Sequence, residues 1–179
     1  YTTLFRSSSF QELLEAAGFD ADLQNVKQAG LGAALGNLEV SLLELTRGFA
    51  LFPRGGFPLE LRWTLSEEDE EGPAGRQAEP GKTAAAGSAA DGAGIGRTVS
   101  EYTADLICDI LSDPAARAPG FGYNTAFTLS FPVMFKTGTS DQFQSIWALA
   151  ATPDYSAGIW MGNNTGETVV GRTGSSVPA

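Results

Sequence analysis

The chain has 179 residues, the size of one domain or of part of a larger one, and its 42% hydrophobic content excludes a wholly disordered polymer. It holds no His and a single Cys, which excludes Ser-His-Asp and Cys-His catalysis, His metal centres and an internal disulfide within it. A formal charge of −10, from 11 basic and 21 acidic residues, argues against a non-specific nucleic-acid surface, which needs a basic patch to displace counterions.

The acidic excess lies before Pro114, notably in Glu67-Glu68-Asp69-Glu70-Glu71, a run that reads as a solvated loop. The 22 glycines, well above the ~7% of an average domain, imply much turn and loop. No apolar run approaches the ~20 residues of a membrane span, and no signal-peptide order stands at the start. Tyr1-Thr2-Thr3-Leu4-Phe5-Arg6-Ser7 resembles the translation of a sequencing-adapter oligonucleotide, so residues 1–7 are set aside as a non-native scar, with the gene cut upstream.

Structure is expected from Ser9, where Ser9 and Glu12 have capping-box spacing. Phe10, Leu13, Leu14 and Ala17 then share a helical face, and Gly18 is a stop. A second short helix is predicted over 22–28, closed by Gly30. The strongest helical pattern covers 38–52, where Leu38, Leu42, Leu45 and Phe49 repeat at i, i+4, i+7 and i+11. Asn37 is its expected cap, and Pro53 with Gly55-Gly56 its end. Residues 59–65 alternate Leu59/Leu61/Trp63/Leu65 against Glu60/Arg62/Thr64, the pattern of a half-buried strand.

Residues 66–97 turn into Glu, Gly, Ala, Pro and Ser, a flexible insertion. Gly81-Lys82-Thr83 lacks the earlier glycine of a phosphate loop. The spacing in Gly92-Ala93-Gly94-Ile95-Gly96 is wrong for a dinucleotide fingerprint. Ser100 then caps a helix whose face is Thr103, Leu106, Ile107, Ile110 and Leu111, ended near Pro114. Cys108 reads as a small apolar residue beside that stripe. Residues 113–132 read as a Gly/Pro loop. Strands are predicted over 133–139, 145–151 and 155–161. Thr152-Pro153-Asp154 makes an antiparallel hairpin of the last two. The first ends in Lys136-Thr137-Gly138-Thr139-Ser140. A Lys on a strand beside hydroxyl residues and a Gly can form a compact anion site, and an open edge there could pair with an extended peptide.

In its longer context this segment resembles a known family. The residues that carry the likeness are Phe131 to Ser140, Ile146-Trp147-Ala148-Leu149-Ala150, Thr152-Pro153 and Ala157-Gly158-Ile159-Trp160-Met161-Gly162-Asn163, with Gly30 to Val40 and Pro119-Gly120-Phe121-Gly122 upstream. They resemble the transpeptidase domain of bifunctional penicillin-binding proteins, the 1C group in particular. The resemblance implies a partial α+β fold of the β-lactamase/transpeptidase type, an antiparallel sheet flanked by helices and truncated at the N-terminus and at the C-terminus. It divides the chain into a helical part (8–65), the insertion (66–97), and the helix, Lys-Thr-Gly strand and hairpin (98–179). It implies D,D-transpeptidation through a serine acyl-enzyme, with Lys136 catalytic and Thr137, Gly138 and Thr139 substrate-binding. It implies no metal and no cofactor. The partners would be a D-Ala-D-Ala stem peptide and β-lactams, with no nucleic acid. The parent would be membrane-anchored through a lost N-terminal segment, at the periplasmic, extracytoplasmic face of the bacterial inner membrane. The class is also marked by Ser-x-x-Lys and a Ser-Asp-Asn-type triplet; neither occurs here, since Gln24, Glu79 and Val133 stand three before the three lysines. A β-lactamase or carboxypeptidase relative and a non-catalytic interaction module are the alternatives.

Overall fold

A computed structural model describes residues 7–20, 23–64, 96–122, 129–169 and 171. The expectations for 1–6 and for most of the insertion, Gly81-Lys82-Thr83 included, lie outside the described residues. The architecture is α+β: five α-helices and two short 3-10 segments, Gly30–Leu35 and Asp141–Phe143, accompany a three-stranded antiparallel sheet among the described residues.

Helix α1 spans Ser7–Ala16. Ser9 lies inside it, so the expected cap at Ser9 is displaced. Gly18 does end the chain's helical path: at φ +92 its N–H bonds the Glu15 carbonyl, and the Phe19 N–H bonds that of Leu14. These paired bonds form the motif that a left-handed Gly permits. Helix α2 covers Leu23–Ala29. Gly30 does not close it, because the chain tightens into a 3-10 turn over Gly30–Leu35 that ends at Gly36.

Helix α3 is Leu42–Phe49, shorter than the expected 38–52. Its cap is Ser41, not Asn37. The Ser41 hydroxyl accepts from the Glu44 N–H at 3.2 Å while the Glu44 carboxylate accepts from the Ser41 N–H at 2.8 Å, a reciprocal box that satisfies two otherwise orphaned donors. The strand expected over 59–65 does not form in its described part, 59–64. The Leu59 carbonyl takes the Arg47 Nε–H instead of a strand neighbour, and Trp63 is 79% exposed. An alternating pattern makes a strand only where another strand can complete its ladder.

Helix α4 is Glu101–Ser112, with Ser100 accepting from the Thr103 N–H at 3.1 Å. Its inward face is Ala104, Ile107, Cys108 and Leu111, whereas Leu106 and Ile110 from the expected stripe are exposed. The expected loop 113–132 contains a further helix, α5, Pro114–Phe121. Asp113 caps it by accepting from the Ala115 N–H at 2.8 Å, and Pro114 fits the first turn because its missing N–H would be unpaired there anyway.

The strands are β1 (Met134–Thr139), β2 (Ser145–Ala151) and β3 (Ser156–Gly162), in the order β1-β2-β3. The 152–154 turn joins β2 to β3 as expected, with the Thr152 N–H bonding the Tyr155 carbonyl at 2.8 Å. Phe49, Met134, Leu149 and Ala151 form a core cluster, with Leu45, Phe52, Ile107, Cys108 and Leu111 packed against it. Helices α3 and α4 therefore meet one face of the sheet. Helix α3 sits close enough to β3 for the Ser156 hydroxyl to donate to the Thr46 carbonyl at 2.9 Å, an approach that a side chain at Gly158 would block.

Candidate functional site

Strand β1 lies at one end of the sheet order, so only β2 pairs with it among the described residues. In the register, Lys136 stands opposite Leu149, Thr137 opposite Ala148, Gly138 opposite Trp147 and Thr139 opposite Ile146. The Ser140 N–H donates to the Ser145 carbonyl at 2.9 Å, which makes 140/145 a hydrogen-bonded pair. Such pairs alternate along an antiparallel ladder. The backbone groups of Lys136 and Gly138 therefore face β2, and those of Thr137 and Thr139 face the open side. A contact agrees with this: the Lys136 ammonium curls along the edge and donates to the Thr137 carbonyl.

The four expected site residues are thus consecutive on one edge strand. Lys136 and Thr139 are exposed, and Thr137 and Gly138 are half-buried. Gly138 has no positive φ, and a Cβ there would meet Trp147 Cβ at 3.6 Å, an ordinary contact. Nothing in the described fold needs a glycine at 138. Beyond Thr139, the five-residue connection to β2 holds Gln142 and Phe143 at φ 59 and 57. The Ser140 hydroxyl steadies it by accepting from the Ser145 N–H at 2.8 Å, and the Phe143 carbonyl accepts from Val169 at 3.0 Å.

The corner between α4 and α5 packs beside the start of β1 and leaves a cleft of about 290 Å³. Its apolar wall includes Ile110, Leu111, Phe121 and Phe135, and Lys136 and Thr137 form its strand side. Arg117 reaches into it from α5. Its Nη1 donates to the Leu111 carbonyl at 2.7 Å, and its Cζ lies 5.2 Å over the Phe135 ring. Arg117 escapes the sequence reading because it lies in a segment read as loop. The Asp113-Pro114 pair, a cap followed by a first-turn proline, was the available signal for α5.

Cys108 lies behind the strand, its Sγ 3.4 Å from the Met134 sulfur. Burial, and secondarily the Asp105 charge, push its thiol pKa up, which disfavours the thiolate, the reactive form. Among the described residues no three His, Cys, Asp or Glu gather to hold a metal, and no helix is long and apolar enough to cross a membrane.

The geometry defines an α+β protein with a cationic, hydroxyl-lined strand edge beside an apolar cleft. Comparison with known proteins relates it to penicillin-binding proteins. No protein-family model matches the chain. Penicillin-binding protein 1A of Clostridium botulinum (strain Hall) is 35% identical over 75 residues, which is 42% of this chain and 9% of the relative. Penicillin-binding protein 1C of Escherichia coli K12 is 35% identical over 82 residues, 45% of this chain and 10% of the relative. Penicillin-binding protein 1A of Clostridium novyi is 26% identical over 73 residues, 41% and 8%. The chain thus spans about a tenth or less of these relatives. The equal identity to a 1A and a 1C protein supports likeness to penicillin-binding proteins generally, without singling out the 1C group.

Proposed function

We propose that this chain forms the strand wall of a penicillin-binding D,D-transpeptidase site that cross-links peptidoglycan stem peptides. The observation that carries the reading is the placement of Lys136-Thr137-Gly138-Thr139 on an open edge strand, with the backbone groups of Thr137 and Thr139 turned outward. An extended peptide ending in D-Ala-D-Ala, or a β-lactam resembling it, adds to that edge by main-chain hydrogen bonds. The Lys136 ammonium attracts the ligand's negative charge, and the Thr137 and Thr139 hydroxyls donate to its carboxylate. The Thr139 N–H stabilises the oxyanion of the attacked carbonyl, a contribution worth ~10²–10³ in rate where one such donor is removed. Gly138 lets the ligand backbone lie close.

In the reaction implied, a serine hydroxyl attacks the penultimate D-Ala carbonyl. The terminal D-Ala leaves with the serine proton, and an amine of a second stem peptide displaces the serine to form the cross-link. The chain has no Ser-x-x-Lys, so that serine comes from polypeptide outside it. The site would stand at the extracytoplasmic face of the inner membrane, the parent held there by a membrane anchor. A non-catalytic binding module is the second reading, favoured by the same lack of a nucleophile.

Two experiments test the proposal. The 179-residue chain incubated with a fluorescent penicillin is expected to show no covalent band after denaturing electrophoresis; a labelled band contradicts the assignment of the nucleophile elsewhere. In a longer polypeptide that carries this segment behind a Ser-x-x-Lys, labelling is expected and Lys136→Ala is expected to slow it at least ~10²-fold, the scale of one lost electrostatic contact at a reacting centre. Unchanged acylation kinetics remove Lys136 from the site, and no labelling of the longer polypeptide favours the non-catalytic module.

A further inference from the structure

Helix α4 carries two parallel rows on the side turned away from the sheet. Tyr102, Leu106 and Ile110, at i, i+4 and i+8, form an exposed apolar row. Glu101, Asp105 and Asp109, each one residue earlier, form an exposed acidic row beside it. Residues four apart stand one above another on a helix, so each row is a ridge about 12 Å long. The acids lie on one side of the apolar ridge only, because one step back along the chain is a turn of about 100° round the axis. No basic residue occurs in α4. Arg97 compensates Glu101 at 2.8 Å, while Asp105 and Asp109 have no ion-pair partner among the described residues.

An exposed apolar ridge of this kind marks an interaction surface, and the charge beside it selects the occupant. A second copy would bring its own acidic row and a further net charge of −10, and an anionic membrane would be repelled likewise. A helix whose apolar row is flanked by Lys or Arg meets both ridges at once. Its apolar side chains interdigitate with Tyr102, Leu106 and Ile110, as i±4 ridges do between packed helices, and its cations lie against Asp105 and Asp109. We infer that the outer face of α4 is a docking surface for a basic amphipathic helix of another protein. Ile110 also lines the cleft beside β1, so the docked helix ends at the rim of that cleft. None of this requires a ligand on the β1 edge.

The test uses the whole chain and two synthetic helical peptides of about five turns, roughly 18 residues. Both carry the same Leu row; one has Lys beside it and the other Glu. Fluorescence anisotropy at low salt is expected to show the Lys peptide binding at least ~10-fold more tightly, with ¹⁵N amide shifts centred on 101–112. Asp105→Asn with Asp109→Asn is expected to weaken the Lys peptide about 5-fold, the scale of two exposed ion pairs. Glu39→Gln with Glu60→Gln, which removes the same charge from other exposed positions, should leave it unchanged. Tyr102→Ala, at a position exposed enough to spare the fold, is expected to weaken both peptides at least ~3-fold. The advantage of the Lys peptide should shrink at about 1 M salt, where charges are screened beyond about 3 Å. Equal binding of the two peptides, an advantage that falls as much with the Glu39/Glu60 pair as with the Asp105/Asp109 pair, or indifference to Tyr102→Ala overturns the inference. So does self-association through this face that persists with the Lys peptide in excess, which assigns the ridge to a second copy.

Discussion

At the scale of single residues, two glycines in the sheet separate what the fold needs from what a ligand needs. A Cβ at Gly158 would stand 2.0 Å from Thr46 Oγ1 and 3.1 Å from both a Leu149 and a Leu42 methyl, so α3 could not sit on β3. Gly158→Ala is therefore expected to destabilise by about 1–3 kcal/mol, the range for overpacking a close contact. The expected effect of Gly138→Ala is the reverse: the added methyl meets only ordinary contacts with Trp147, so chemical denaturation should find stability unchanged within about 0.5 kcal/mol. Under the proposed function, in which a ligand backbone lies close to Gly138, binding of N-acetyl-D-Ala-D-Ala should weaken. A Gly138→Ala chain that loses stability as Gly158→Ala does would assign Gly138 to packing instead.

At the scale of elements, α3 is stabilised at its first turn by a device that titrates. The Glu44 carboxyl is held below its usual value, chiefly by the Ser41 hydroxyl and then by the N–H groups of Asp20 and Ser41. A depressed folded-state value means that the stabilisation is in place above the unfolded-state pKa and is lost as pH falls through the folded one. Ser41→Ala is expected to cost about 0.5–2 kcal/mol at neutral pH. Glu44→Gln should flatten the decline in melting temperature between about pH 5 and about pH 3, near the ordinary Glu range. A decline as steep as in the unaltered chain would place that acid sensitivity elsewhere. The Ser41–Glu44 box was legible in the sequence, but the apolar run beginning at Leu38 drew the expected start to Asn37. Capping-box spacing at Ser9 and Glu12 misled in the other direction, since spacing alone does not show whether a helix has already begun. The three strands were legible to within a residue or two because β2 is bounded by turn chemistry and apolar on both sides. The strand expected at 59–65 failed because alternation says nothing about whether a partner exists. At the site, the motif Lys136 to Thr139 could be read directly. The outward direction of Thr137 and Thr139 could not, because it depends on the register with β2, and the cleft required α5, whose glycine and prolines had read as breakers.

At the scale of the whole molecule, α4 is apolar on two sides and, among the described residues, packs only one. Ala104, Ile107, Cys108 and Leu111 turn toward the sheet, while Tyr102, Leu106 and Ile110, spaced at i, i+4 and i+8, are 77%, 45% and 50% exposed. Ile159 on β3 and Phe131 before β1 are similarly open. A folded chain that presents a helical stripe and sheet edges of this kind is expected to self-associate through them. Its charge opposes this only in part, since Glu101, Asp105 and Asp109 line the stripe and repel a second copy. Replacing Tyr102 and Leu106 together by Lys removes most of the stripe and leaves Ile110 and the cleft in place. Sedimentation velocity across a concentration series should then show less association than in the unaltered chain. Stability should stay within the ~0.5 kcal/mol per site typical of surface changes. A loss of about 2–5 kcal/mol, the cost of truncating a packed core residue, would mean that this face of α4 is already covered in solution and that the sheet edges carry the association.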